Sequence, residues 1–236
     1  GRRNGQAARH GYIVLAVEWL KPQQYVYEFS AREHLAVLTS LRDATRRLSI
    51  DTDRVYLSGH GVGADAIWDI AQAHPDLWAG VVPFNGRGEK YVRHYWENAK
   101  YAPWYFVAGE KDGTSIKDNA ALWDRYVKKR GFDATVVEYQ GRGHEPFHDE
   151  ILNALDWMGR RSRQAPPEAF ACRAMRPWDN FFWWVECRDF DDKWMLYPAE
   201  FDDRRKSHAQ VEGRLRHGNR VYMKTVANAA TVWLNP

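Results

Sequence analysis

The chain has 236 residues, enough for one large domain or a medium domain with a small companion. Hydrophobic residues make up 44%, and 12 Trp, 12 Tyr and 10 Phe demand burial, which excludes disorder as the main state. The net charge of +3 gives no basic footprint for nucleic acid, and no apolar run reaches the ~20 residues of a membrane helix. Cys172 and Cys187 cannot build a disulfide framework; one bridge and two free thiols are equally consistent. The chain opens on Gly1 with no charged-then-apolar leader. That reads as a processed chain or a fragment and assigns no compartment.

The first 160 residues alternate strand and helix patterns. Tyr12–Val17 is a continuous apolar run, as expected of a strand buried on both faces. Ser30-Ala-Arg-Glu33 is a capping box, followed by Leu35, Leu38, Leu41 and Leu48 at helical spacing. Arg54–Ser58 reads as a second strand. A Gly-rich turn follows, then a helix with Val62, Ala66 and Ile70 on one face, stopped by His74-Pro75. Ala79–Phe84 and Trp104–Ala108 are further strands; Glu89–Lys100 between them fits a short helix or an irregular excursion. A helix is expected over Lys117–Arg130 with Gly131 as its cap, a strand over Ala134–Tyr139, and a last helix through Ile151, Leu155 and Met158. Such alternation predicts a parallel sheet covered on both faces.

The pattern changes after Arg160. Residues 161–167 read as a linker between an α/β unit, 1–160, and a small β-rich unit, 168–236. Strands are predicted at Phe181–Val185, Trp194–Tyr197, Arg220–Lys224 and Ala230–Leu234, with Gly218-Asn219 and Asn228 as turn residues. The unit stops straight after a strand, at Asn235-Pro236, and is expected to be incomplete. Alternation sends Phe181 and Trp183 to one side and Phe182 and Trp184 to the other. Stacking on a sugar ring is one use for such a run; core or interface packing is the stronger expectation.

The sharpest motif is Gly59-His60-Gly61-Val62-Gly63 between a strand and a helix. A tight strand–turn–helix presents its central residue at the rim of the sheet, at the positive end of the helix dipole. Here that central residue is Gly61, flanked by Gly59 and Gly63. Downstream, Asp112 and His144 each directly follow a predicted strand, where open α/β sheets place their active sites.

With Asp51–His60, Ala73–Gly80, Val107–Asp112 and Tyr139–His144, residues 11–160 resemble an α/β hydrolase of the esterase, dienelactone-hydrolase and prolyl-oligopeptidase-like group. The resemblance implies a doubly wound, mostly parallel sheet and a Ser–Asp–His triad that hydrolyses an ester or amide. Asp112 takes the acid position, His144 the base position, and Val62 supplies the oxyanion amide. The second oxyanion amide is expected in a loop before Tyr12. Gly61 takes the nucleophile position without a side chain, so activity is expected to be weak or lost, through a water held by His144 at best. The alternative is a non-catalytic relative that binds a ligand or partner in the same cleft. The implied ligand is a small ester or peptide-like molecule, with no cofactor, no metal, no nucleic acid and no membrane partner; the oligomeric state is not readable.

Two other motifs overlap these residues. Gly59–Ala64 matches the G-x-G-x-x-A fingerprint of dinucleotide sites, but that motif belongs after the first strand with an acidic residue ending the second. His144-Glu-Pro-Phe-His148 matches H-E-x-x-H, which binds zinc only when both histidines lie on one helix. Gly143 and Pro146 instead predict a helix starting near Pro146, with His144 in the loop and His148 one turn along. His60 is expected to pack inside the turn.

Overall fold

A computed structural model describes residues 5–129, 131–204, 207–218 and 220–234. Four strands, β1 (Tyr56–His60), β2 (Gly80–Phe84), β3 (Trp104–Gly109) and β4 (Ala134–Tyr139), form an all-parallel sheet in that order. Helices α1 (Gln6–Arg9), α2 (Ala31–Arg47), α3 (Val62–Ala73), α4 (Tyr91–His94), α5 (Thr114–Lys128) and α6 (Ile151–Gly159) accompany it. Alternation along β3 divides the core. Trp104, Phe106 and Ala108 join Trp68, Ile70, Leu122 and Tyr126 on one face. Tyr105 and Val107 join Val82, Leu155 and Trp157 on the other. A sheet buried on both faces reads as continuous apolar runs, which is why β2 and β3 were legible.

The expected first strand is not one. Tyr12 is held, its hydroxyl donating to Leu155 O (3.2 Å) and its ring edge-on to Tyr56. Residues 13–20 carry no regular structure, with Ile13 and Val14 61% and 70% exposed. A strand exists only through its ladder, and this run pairs with nothing among the described residues. The leucine repeat of α2 is helical as expected, but Leu35 and Leu48 face outward while Glu33, His34 and Ala44 are buried. Glu33 accepts from the Ser30 backbone N–H at 2.8 Å, as the capping box requires. The helix expected over 117–130 begins earlier, at Thr114; Arg130 lies outside the described residues. Glu89–Lys100 contains α4 and a 3-10 turn from Asn98.

After an irregular stretch over 161–167 come two antiparallel three-stranded sheets. The first has β5 (Ala169–Ala174), β8 (Ala209–Arg216) and β9 (Arg220–Lys224) in that order. The second has β10 (Ala227–Val232), β7 (Val185–Phe190) and β6 (Phe181–Phe182). Phe170, Cys172, Phe182, Trp184, Val185, Cys187 and Val211 share one core. Both cysteines are buried free thiols.

Three expectations fail here. Phe181–Val185 is a hairpin rather than a strand: Phe182 pairs with Val185, and Trp183 turns the chain at φ 53°. That left-handed geometry costs a side chain of this size about 1–3 kcal/mol. Packing of Trp183 on Tyr101 (4.8 Å) and Phe170 (4.9 Å) offsets it. Trp194–Tyr197 is not a strand: Trp194 ends a 3-10 turn over Asp192–Trp194, and 195–197 carry no regular structure. Asn228 lies inside β10, and the turn falls at Thr225-Val226. Gly218 does turn, at φ +76°; Asn219 and Asn235-Pro236 lie outside the described residues.

The chain after β5 enters the α/β part deeply. Arg176, fully buried, donates to Asp69 Oδ2 (2.8 Å) and to Asp179 Oδ2 (2.6 Å). Tyr95 donates to Asp179 Oδ2 at 2.5 Å, and Tyr91 donates to the carbonyl of Leu196. No described helix is long and apolar enough to cross a membrane.

Candidate active site

The β1–α3 turn brings Gly61 to the rim of the sheet. Its backbone sits at φ 54°, ψ −122°, a conformation that costs a residue with a Cβ about 1–3 kcal/mol. Its N–H is fixed by Phe84 O (2.9 Å), and its carbonyl accepts from Ala64 and Asp65 N–H at 2.8 and 3.0 Å. Gly59 is required for another reason: a Cβ there would lie 2.4 Å from Gly63 O, where the strand end crosses the start of the helix. Val62 is the first residue of α3, in the turn whose amides have no intrahelical acceptor.

Asp112 follows β3 and His144 follows β4, and the two loops are tied together. Lys111 N–H donates to Arg142 O (2.7 Å), and Gly141 N–H donates to Glu110 Oε2 (2.6 Å). His144 Nδ1 lies 2.8 Å from Asp112 Oδ1. A carboxylate only accepts, so the ring proton sits on Nδ1 and the Nε2 lone pair faces away from Asp112. It faces Gly61: a Cβ built there would lie 3.1 Å from His144 Nε2. Asp112 is buried and the His144 side chain half exposed. The structure thus brings Gly61, Asp112 and His144, distant in sequence, to one point.

The neighbours of His144 were not foreseen. His60, expected inside the turn, is exposed. Its ring stands edge-on to His144 at 4.9 Å, and its Nε2 lies 3.1 Å from Glu145 O and 3.2 Å from Asn85 Nδ2. Asn85, just beyond β2 at φ 54°, donates to the same carbonyl at 2.8 Å. Residues 144–150 are irregular, because the helix expected from Pro146 begins at Ile151; His148 lies in a turn, outside any helix. Phe147, fully buried at φ 42°, anchors this loop beneath the Arg142 guanidinium, which also pairs with Glu145 and Asp149. The loop therefore lacks the helix that H-E-x-x-H needs. Asn85 carried one signal, as a residue type that tolerates left-handed backbone directly after a strand.

Asp65, on the first turn of α3, is a further group by the turn. Its Oδ1 accepts the Arg87 N–H at 2.6 Å. Burial pushes its carboxyl up to about 6 and the Glu89 charge adds to this, against that hydrogen bond and the charge of Arg87. The described residues before Tyr12 form α1, which packs against α6.

A parallel sheet between helices, with a strand–turn–helix corner after β1 facing an Asp–His pair from the ends of β3 and β4, is the architecture of an α/β hydrolase. The model of the dienelactone hydrolase family matches residues 5–154, and the chain belongs to that family. No curated protein matches. Among solved structures, the chain is similar to a thermostable esterase (22% identity, TM-score 0.46), with 55% of this chain and 36% of that one covered. SOBER1 of Arabidopsis thaliana is similar at 17% identity and TM-score 0.45, over 58% and 66% of the two chains. An S-formylglutathione hydrolase of Agrobacterium tumefaciens is similar at 13% and 0.47, over 55% and 57%. The chain thus spans about a third to two thirds of the length of these proteins.

Proposed function

We propose that this cleft is the acyl-transfer site of an esterase- or peptidase-type hydrolase whose covalent route is closed at Gly61. Asp112 orients His144, His144 is the base, and the Val62 amide is the oxyanion donor, with a small ester or peptide-like molecule as ligand. The observation that carries this reading is the 3.1 Å between His144 Nε2 and a Cβ position on Gly61. A serine hydroxyl one bond further would stand in hydrogen-bond reach of that nitrogen. With no hydroxyl, the remaining route is attack by a water activated at Nε2. Loss of one triad member leaves only about 10³–10⁴-fold catalysis over water.

The second reading is a pseudo-hydrolase that binds its ligand in the same cleft without turnover, and the missing Cβ at Gly61 favours it. p-Nitrophenyl acetate separates the two. Turnover that His144→Ala abolishes supports the water route; turnover no higher than that of His144→Ala supports the binding role. Gly61→Ser tests the architecture common to both. It is expected to gain labelling by a fluorophosphonate probe, and a folded variant without labelling or esterase activity counts against the site.

A further inference from the structure

A second group of chemically active side chains lies inside the molecule. His34 Nδ1 and His74 Nε2 are 3.1 Å apart, and Asp179 Oδ1 is 4.0 Å from His34 Nδ1. The three donor atoms lie within 4.8 Å of one another, and all three residues are buried. They come from α2, from the residue capping α3, and from the stretch following β5. We propose that His34, His74 and Asp179 form a binding site for one divalent cation of the zinc class, joining the C-terminal part of the chain to the α/β part.

The spacing suits such an ion. Two imidazole nitrogens on a tetrahedral zinc, each at about 2.0–2.1 Å, stand about 3.3 Å apart. The two rings need to separate by only a few tenths of an ångström, while Asp179 Oδ1, now 4.0 Å from His34 Nδ1, must move closer. Two nitrogens and one oxygen also match the donor preference of zinc and its neighbours, not of calcium or magnesium.

The surroundings match the outer shell of a metal centre. His34 Nε2 lies 3.0 Å from Asp69 Oδ2, which fixes the ring proton there and leaves the lone pair on Nδ1, toward His74. Asp179 holds Arg176 and Tyr95 through Oδ2, while its buried Oδ1 has no hydrogen-bond partner. A buried carboxylate oxygen facing two imidazoles calls for a cation. Asp69 and Asp179 are two carboxylates facing the single guanidinium of Arg176, which leaves one negative charge for a bound cation to offset. The competing occupant is a proton shared between the two rings. It closes the His74–His34–Asp69 chain but leaves Asp179 Oδ1 unpaired.

The test uses the full chain without a histidine tag, stripped by chelation and titrated with Zn²⁺ and Co²⁺. The expected result is one ion per chain, a visible d–d absorption from bound Co²⁺, and a melting temperature that rises with Zn²⁺. His74→Gln and Asp179→Asn should each weaken Zn²⁺ at least ~10-fold, while His144→Ala in the cleft binds as the parent does. A folded parent with no Co²⁺ band and no thermal response to Zn²⁺ overturns the site and leaves the proton reading. So does binding that His144→Ala removes and His74→Gln keeps. If a buried variant does not fold, X-ray absorption of the parent's Zn²⁺ complex decides: two imidazoles in the shell support the site, and fewer overturn it.

Discussion

The Nε2 nitrogen of His144 faces the bare Cα of Gly61, across a gap that one methyl group would narrow to 3.1 Å. The other ring nitrogen is engaged by Asp112 at 2.8 Å. An imidazole held this way has one direction in which to take a proton, and that direction ends on a residue with none to give.

The first prediction restores the missing group. Gly61→Ser should create p-nitrophenyl acetate hydrolysis well above the parent. Adding Asp112→Asn should lower its kcat by about 10³–10⁴-fold with little change in KM, because the carboxylate orients the imidazole without touching substrate. Equal rates with and without the second substitution would detach Asp112 from the site.

Gly59 and Gly63 should behave oppositely. A Cβ on Gly59 meets Gly63 O at 2.4 Å, whereas one on Gly63 meets nothing within 4 Å. Gly59→Ala is expected to cost about 1–3 kcal/mol or more in urea unfolding, from forced backbone displacement. Gly63→Ala, within α3, should be neutral or stabilise by up to about 1 kcal/mol.

Asn85 should act as a clamp on the loop carrying His144. Its amide donates to Glu145 O at 2.8 Å, with its own backbone at φ 54°. Asn85→Ala loses the bond and strains the backbone, for about 1–3 kcal/mol in all. Asn85→Gly loses only the bond and should recover part of that. Hydrogen exchange at 143–148 should accelerate in both; unchanged exchange would show that the loop is held without Asn85.

Asp65 gives a pH dependence of defined sign. Its carboxyl is raised to about 6 in the folded state from an ordinary 3.8, chiefly by burial. The folded state therefore binds more protons between those values, and this contribution to stability is lost as pH rises from about 4 through 6. Asp65→Asn keeps an acceptor for the Arg87 amide. It should stabilise the protein at pH 8, by up to about 2–3 kcal/mol, and leave it little changed at pH 4. A variant no more stable than the parent at pH 8 would remove the burial penalty assigned here.

The buried Arg176 should be among the most sensitive positions in the chain. Arg176→Met leaves Asp69 and Asp179 facing each other without their common cation. An unpaired buried charge costs about 3–5 kcal/mol, so melting should shift far more than for an exposed pair such as Arg47–Asp43.

Sequence alone determined what rests on local chemistry. Continuous apolar runs located β2, β3 and β4, and His74-Pro75 ended α3. The glycines marked the turn at Gly61, and position after consecutive strands marked Asp112 and His144. Only the tertiary structure could decide what depends on partners distant in the chain. The run Tyr12–Val17 has strand composition but no ladder to join, and Trp183 is turned by its contacts with Tyr101 and Phe170. H-E-x-x-H drew attention to His144 and His148. The histidines that meet over a buried carboxylate are instead His34 and His74, forty residues apart and joined by no motif. Hydrophobic period and turn chemistry act within a few residues, whereas the pairing of buried polar atoms is settled when the whole core closes around them.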